Sequence, residues 1–297
     1  MKSKIYLSIA TVIFEITSEA ALHIDADCIE FCSQQKPNSF FPEQAQLIQV
    51  QLNIVKVSSK IDGEIVCQMP QCIVLKHDNL ERRILMGGIN AYYREIGENN
   101  VIIEICQENT ETIVINTSLL EAFALEHFLL KQHALVLHSS FIEWQGKGIA
   151  FTAPSGTGKS TQAALWQKYE GCEIINGDRS VIVQNVVTGK FYIAGLPFCG
   201  SSNIHQNKIM PLKAIVFIEQ SPKNTVEKMP GIKAISKLFG ETSINKWNKE
   251  AVIKSVELIE AIARNVPMIH LKCNMEQDAV LTLKNYLINQ DFKSSNF

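Results

Sequence analysis

No pair among this chain's eight cysteines has the CxxC spacing that a zinc or thiol-redox site needs. The closest two, Cys28 and Cys32, are one residue too far apart, and the others are scattered singly. Charge of one sign is also missing: 28 Lys and Arg against 30 Asp and Glu leave a formal net charge of −2, which gives neither nucleic acid nor an anionic membrane a footprint. There is no internal repeat or low-complexity segment, and no apolar stretch approaches the length that crosses a bilayer. The run from Ile5 to Phe14, behind Met1-Lys2-Ser3-Lys4, has the outline of a short signal peptide. Ser8 and Thr11 interrupt it and no small-residue cleavage site follows, so a buried N-terminal strand is expected instead. The expected setting is cytoplasmic, with reduced cysteines. What is present is an ordinary globular composition, 46% hydrophobic and 20% charged over 297 residues, enough for two cores.

The pattern divides in two. Residues 1–117 show short β-rich runs, Leu47 to Val57, Glu64 to Cys67, Cys72 to Leu75 and Asn100 to Cys106, separated by polar turns such as 58–63. This predicts a smaller, mostly-β N-terminal domain. Ser118-Leu119-Leu120-Glu121 reads as a capping box opening a helix to about His133 and beginning a second domain, 118–297. Two strands follow, Ala134 to Glu143 and Gly148 to Ala153, then a glycine-rich loop and a helix from Lys159 to Tyr169 that Gly171 stops. Further strands are expected at Glu173 to Gly177, Ser180 to Val186, Phe191 to Gly195, Lys213 to Glu219 and Met268 to Cys273. A helix through Val252, Val256, Ile259 and Ile262 precedes the last of these, and another, capped at Asn274, follows it. The expected class is α/β, with a mixed sheet and flanking helices.

The strand-to-helix loop carries the chemistry. Ala153-Pro154-Ser155-Gly156-Thr157-Gly158-Lys159-Ser160 has every element of G-x-x-x-x-G-K-[ST] except the first glycine, which is Ala153. In that motif glycines let backbone N–H groups curl around phosphates, the lysine reaches the β- and γ-oxygens, and the hydroxyl takes Mg²⁺. Ser155, Gly156, Thr157, Gly158, Lys159, Ser160 and Thr161 are therefore the candidate nucleotide-binding residues, with ATP and Mg²⁺ as the expected cofactors. The metal also needs an acid at the end of a neighbouring strand. Asp178 fits, although Asp in such a turn also serves as a local Asx cap. Gly200-Ser201-Ser202 is a small polar loop suited to an acceptor or a phosphate, or else a plain turn. Arg179 can pair with Asp178 and orient it.

Leu137-His138-Ser139-Ser140, the hairpin, Ser155-Gly156-Thr157-Gly158-Lys159-Ser160 and Asn176-Gly177-Asp178-Arg179 together resemble the catalytic domain of HPr kinase/phosphorylase. That family shares a core with ATP-dependent phosphoenolpyruvate carboxykinase. The resemblance spans roughly His133 to Lys213 and extends to operon-encoded relatives that phosphorylate a serine of a small peptide. It implies a kinase core of that type and a catalytic set of His138, Lys159 and Asp178, with either His138 or Asp178 as base. It also implies that Lys213 reaches the transferring phosphate. The chain departs from the family at Gly177, where HPr kinase has a second acid, and in lacking the Leu-Glu-Ile-Arg-Gly stretch, where Ile193-Ala194-Gly195 stands.

The expected function is transfer of the γ-phosphoryl group of ATP to a hydroxyl acceptor, a serine of a peptide or protein or a small molecule. The alternative is an ATP-binding regulatory or scaffold module with little transfer. The expected partners are the nucleotide and that acceptor, with neither nucleic acid nor membrane, and the oligomeric state is left open.

Overall fold

The computed structural model describes residues 2–56, 62–78, 80–86, 88–107 and 111–294. The turn expected at 58–63 therefore falls largely outside the described residues, as does Val57. The chain forms two compact units, one of residues 1–132 with Asn245–Lys249, the other of His133–Ile244 with residues 250–297.

The first unit is mostly strand: β1 (Ser3–Ile9), β2 (Val12–Ser18), β3 (Ala21–Ile24), β4 (Cys32–Ser33), β5 (Gln46–Val55), β6 (Glu64–Met69), β7 (Cys72–His77), β8 (Leu80–Leu85), β9 (Ala91–Gly97), β10 (Asn100–Cys106) and β11 (Thr112–Ile115). Nine of these make one mixed sheet in the order β4-β1-β2-β5-β10-β9-β8-β7-β6, and β3 pairs with β11 separately. The apolar run Ile5 to Phe14 is not one strand. It turns at Ala10 (φ +51) and pairs back on itself from Ile9↔Val12, so both halves of the hairpin bury the same face.

The helical segment after β11 also differs from the expected one. Asn116, not Ser118, is the N-cap, accepting from Leu119 N–H at 2.9 Å. The helix is broken into α1 (Thr117–Leu120), a 3₁₀ turn and α2 (Leu125–Lys131), with Ala124 at φ +51 between them. This segment belongs to the first unit, because its aromatic residues pack there: Phe14 meets Phe123 edge-on at 5.2 Å and Phe128 at 5.9 Å.

The second unit contains β12 (Ala134–Trp144), β13 (Lys147–Thr152), α3 (Lys159–Glu170), β14 (Glu173–Asn176), β15 (Arg179–Gln184), β16 (Phe191–Gly195), β17 (Ile209–Gln220), β18 (Thr225–Lys228), α4 (Gly231–Glu241), α5 (Lys249–Asn265, whose first residue falls in the first unit), β19 (Met268–Cys273) and α6 (Gln277–Ser294). β12 and β13 are joined by Gln145 and Gly146, both at positive φ, as a tight two-residue hairpin requires. β12 splits its pairing, residues 134–138 with β15 and 139–144 with β13. β17 does the same with β16 and β13, so the pairings β12–β13–β17–β16–β15 close on β12. Beyond β17 lie β19, parallel to it, and β18.

β13 is buried along nearly its whole length, as a central strand covered on both faces must be. α3 places Ala163 and Trp166 over it, and α6 adds Ala279, Val280, Leu283 and Leu287 at helical spacing. Trp166 is fully buried, edge-on to Trp144 at 5.4 Å. Burying one such side chain contributes about 2–3 kcal/mol, enough to fix α3, and with it the loop before it, against the sheet. Among the described residues, no helix is long and apolar enough to cross a membrane.

Candidate functional site

The glycine-rich loop leaves β13 at Thr152 and enters α3 at Lys159, with Gly158 as the helix cap. Gly156 has φ +78 and Gly158 φ +108, in the left-handed half of conformational space where a side chain is strained. A Cβ on either would meet nothing within 4 Å, so glycine serves the backbone turn here and not packing. The first turn of α3 has no side-chain cap and no acidic residue. Its N–H groups and the positive end of the helix dipole are left available to an anion. Thr157 N–H bonds Pro154 O at 3.3 Å and closes the loop.

Lys159 is 7% exposed and its ammonium turns back along the loop, donating to Ala153 O at 2.9 Å and Pro154 O at 3.4 Å. Burial lowers its pKa from the usual lysine value, and the negative charges of Glu241 and Asp178 oppose that shift. The lysine is thus a desolvated cation that feels the charge of two carboxylates. The Ser160 hydroxyl donates to Gly177 O at 3.3 Å, which brings it beside the turn that carries Asp178.

That turn is built on Asn176, which is fully buried. Its Nδ2 donates to Leu196 O at 2.6 Å, and its Oδ1 accepts from the N–H groups of Asp178 and Arg179, both at 2.9 Å. This is the local Asx arrangement, and Asn176 supplies it, leaving the Asp178 carboxylate free of capping duty. The 3₁₀ turn Gly200–Ser202 covers this point. Gly200 (φ +57) lies so close that a Cβ would stand 3.0 Å from Asp178 Cβ and Cγ. Arg179 reaches Asp178 at 3.5 Å and lays its guanidinium over the Phe198 ring at 5.4 Å.

His138 is placed by backbone pairing. It stands opposite Arg179 in the β12–β15 ladder, and its carbonyl accepts from Thr152 Oγ1, at the root of the loop, at 2.9 Å. Its Nε2 lies 3.6 Å from Asp178 Oδ1, and its Nδ1 3.0 Å from Glu241 Oε2. Glu241 is the last residue of α4. It is held there because Thr242 bridges to Leu137 and Ser243 N–H bonds Val136 O at 2.9 Å, extending the β12 edge. A carboxylate accepts only, so a hydrogen on Nδ1 has its acceptor in Glu241, and Nε2 faces Asp178.

The fold therefore gathers His138, the loop with Lys159 and Ser160, Asp178 with Arg179, and the 200–202 turn at one place. Lys213 is not among them. It lies next to Leu212, which pairs with Gly148, whereas the loop leaves the opposite end of β13 at Thr152; four residue steps along the strand separate the two, roughly 13 Å. The Lys213 ammonium sits over the Trp144 ring at 5.4 Å, where Lys147 and Lys190 share a separate cavity with it. Glu241 was missing from the sequence-derived set. It sits at the end of a helix whose sequence carries no chemical motif.

Fold and site define a mixed α/β protein in which a glycine-rich loop joins a strand to an uncapped helix beside a histidine held between carboxylates. The chain belongs to the family of the SynChlorMet cassette protein ScmC, whose family model matches residues 101–278. That span includes the loop, His138, Asp178 and Glu241. No curated protein sequence matches the chain. Among solved structures it is similar to the Hpr(Ser) kinase/phosphatase from Coxiella burnetii, at 11% identity and a TM-score of 0.33, over 54% of this chain and 95% of that one. A likeness of that strength carries no functional argument.

Proposed function

We propose that the second unit binds ATP with its phosphates on the 153–161 loop and transfers the γ-phosphoryl group to a hydroxyl acceptor. The observation that carries this reading is the convergence of an uncapped helix N-terminus, two open left-handed glycines and a buried lysine with a histidine whose Nδ1 lies against a carboxylate. A structural turn needs none of these together, whereas phosphoryl transfer needs all of them: positioning, charge neutralisation and a proton acceptor.

The backbone N–H groups of the loop and α3 bind the phosphate oxygens, and Lys159 leaves its carbonyl partners to neutralise the charge that develops during transfer. Ser160 Oγ and the Asp178 carboxylate are hard oxygen donors brought together through Gly177, so they fit Mg²⁺, which when bound would add positive charge at the phosphates. The acceptor oxygen forms a bond to the γ-phosphorus, and the bond from that phosphorus to the β-bridging oxygen breaks, so that ADP leaves. The acceptor's proton passes to His138 Nε2, while Glu241 holds Nδ1–H and stabilises the resulting imidazolium. Arg179 and the 200–202 turn keep the Asp178 carboxylate in place. The acceptor class is a serine of a peptide or protein, or a small polyol.

The test is incubation with Mg-ATP and a panel of free serine, small polyols and serine-containing peptides, following ADP release and phosphate mass gain, with Lys159→Ala as control. Acceptor-dependent transfer lost in the control supports the kinase. Tight ATP binding with no transfer to any member of the panel points to a regulatory ATP-binding module.

A further inference from the structure

The three parallel strands of the second unit, β13, β17 and β19, all end on the side where the glycine-rich loop lies. In open parallel sheets the crevice at the carboxyl ends of strands is where ligands sit. Here that crevice is a cavity of about 470 Å³, a volume within the range of small-molecule sites. One wall is the backbone of residues 156–158 with Thr161 and Gln162, another the end of β17 from Ile218 to Pro222, and the third Cys273 to Met275.

No lining residue of this cavity carries a charge. It opens beside the loop with Ile218 and Met275 as apolar walls, so it suits a neutral, flat, largely apolar group attached to the anion on the loop. Its walls are tied together. Gln220 Nε2 donates to Gly156 O and Thr157 O, each at 3.4 Å; Ser221 N–H bonds Cys273 O at 3.0 Å; and Asn274 N–H bonds Asn224 Oδ1 at 2.9 Å. Gln162 is 2% exposed, and its Nε2 donates to Asn274 O at 3.0 Å. That bond fixes the amide orientation, and Gln162 Oε1 has no hydrogen-bond partner among the described residues.

We infer that this cavity takes the base of the nucleotide, and that the preferred substrate is a nucleoside triphosphate, not an inorganic polyphosphate. The inference rests on the phosphate-loop reading above and adds where the rest of the nucleotide goes. It is tested by calorimetric titration of the whole protein with Mg-ATP and with magnesium tripolyphosphate, which has the phosphates without the base. ATP is expected to bind at least about tenfold more tightly, a difference of about 1.4 kcal/mol. Ser221→Trp, which fills the cavity from its rim, should remove that advantage and leave tripolyphosphate affinity unchanged. Met275→Trp, on the opposite wall at an exposed position, should do the same if the first variant folds poorly. Equal wild-type affinity for ATP and tripolyphosphate, or an ATP advantage that survives both variants, overturns the base site and leaves the phosphate loop standing. Failure of the wild type to bind either ligand overturns both.

Discussion

A Cβ placed on Gly177 would stand 1.9 Å from Ser202 Oγ and 2.4 Å from Ser202 Cβ. The two residues are in contact only because position 177 has no side chain. Ser202 cannot simply swing away, since its hydroxyl bonds Cys199 O at 2.6 Å and accepts from Ile204 N–H at 3.2 Å. An acid at 177 and this covering turn exclude each other, which gives a physical account of why one carboxylate, Asp178, stands here alone.

Gly177→Ala should therefore destabilise the protein by about 1–3 kcal/mol, the usual cost of forcing atoms into a packed site. Adding Ser202→Gly should recover most of the loss, because it removes the atoms in collision. Thermal denaturation of the two single variants and the double variant gives the coupling directly. Simple additivity would mean that the contact is not what position 177 is selected for.

Two lysines separate the site from the rest of the sheet. Lys159→Met should weaken Mg-ATP binding by at least about tenfold and reduce transfer by roughly 10²–10³-fold, the range for loss of one preorganised charge-stabilising donor. Lys213→Met should leave ATP affinity within about twofold, since it lies on the far end of β17. Titration calorimetry on both variants checks this, and equal losses would contradict the placement of the site.

His138→Ala should slow transfer about 10²–10⁴-fold with ATP affinity nearly intact, as for loss of a general base. Glu241→Gln should slow it by less, roughly tenfold, because the amide still accepts from Nδ1–H yet no longer stabilises the imidazolium. In the His138→Ala background Glu241→Gln should add almost nothing. Steady-state rates for the three variants decide it, and independent, multiplicative losses would show that Glu241 acts elsewhere.

In the first unit, Glu95 is buried, and burial by itself would push its carboxyl up. The neighbouring His127 ring at 3.0 Å and the Glu81 N–H at 2.8 Å outweigh that and hold it below the ordinary value of 4.5. A carboxylate with a depressed folded-state pKa contributes stability that is complete above its unfolded value and is lost as pH falls through the folded one. The melting temperature should therefore fall as the solution is acidified below about pH 4.5, and Glu95→Gln should be less stable near neutrality and show a smaller acid-induced drop. Melting curves across that range test the sign.

Much of the site was legible because its parts are consecutive. Strand, glycine loop and helix occupy one stretch, Thr152 to Lys159, and glycine at two positions with positive φ is a local requirement that the chain states directly. The Ile5 to Phe14 run was misread as one strand because Ala10, not glycine, takes the left-handed turn. The expected Ser118 cap yielded to Asn116, two residues upstream, whose side chain reaches the same kind of orphan N–H.

Sequence alone thus determined the loop, its lysine and hydroxyl, the Asn-Gly-Asp-Arg turn and the strands that carry them, since each depends on residues a few positions apart. Tertiary structure alone decided that Glu241, 103 residues from His138, holds the imidazole, that Lys213 lies away from the loop, and that an uncharged cavity opens beside it. Those facts depend on how β12 and β17 divide their pairings and on the bridge from Thr242 to Leu137. Strand pairing joins residues by register across the sheet, and local patterns carry propensity and periodicity but not the long-range register that brings such residues together.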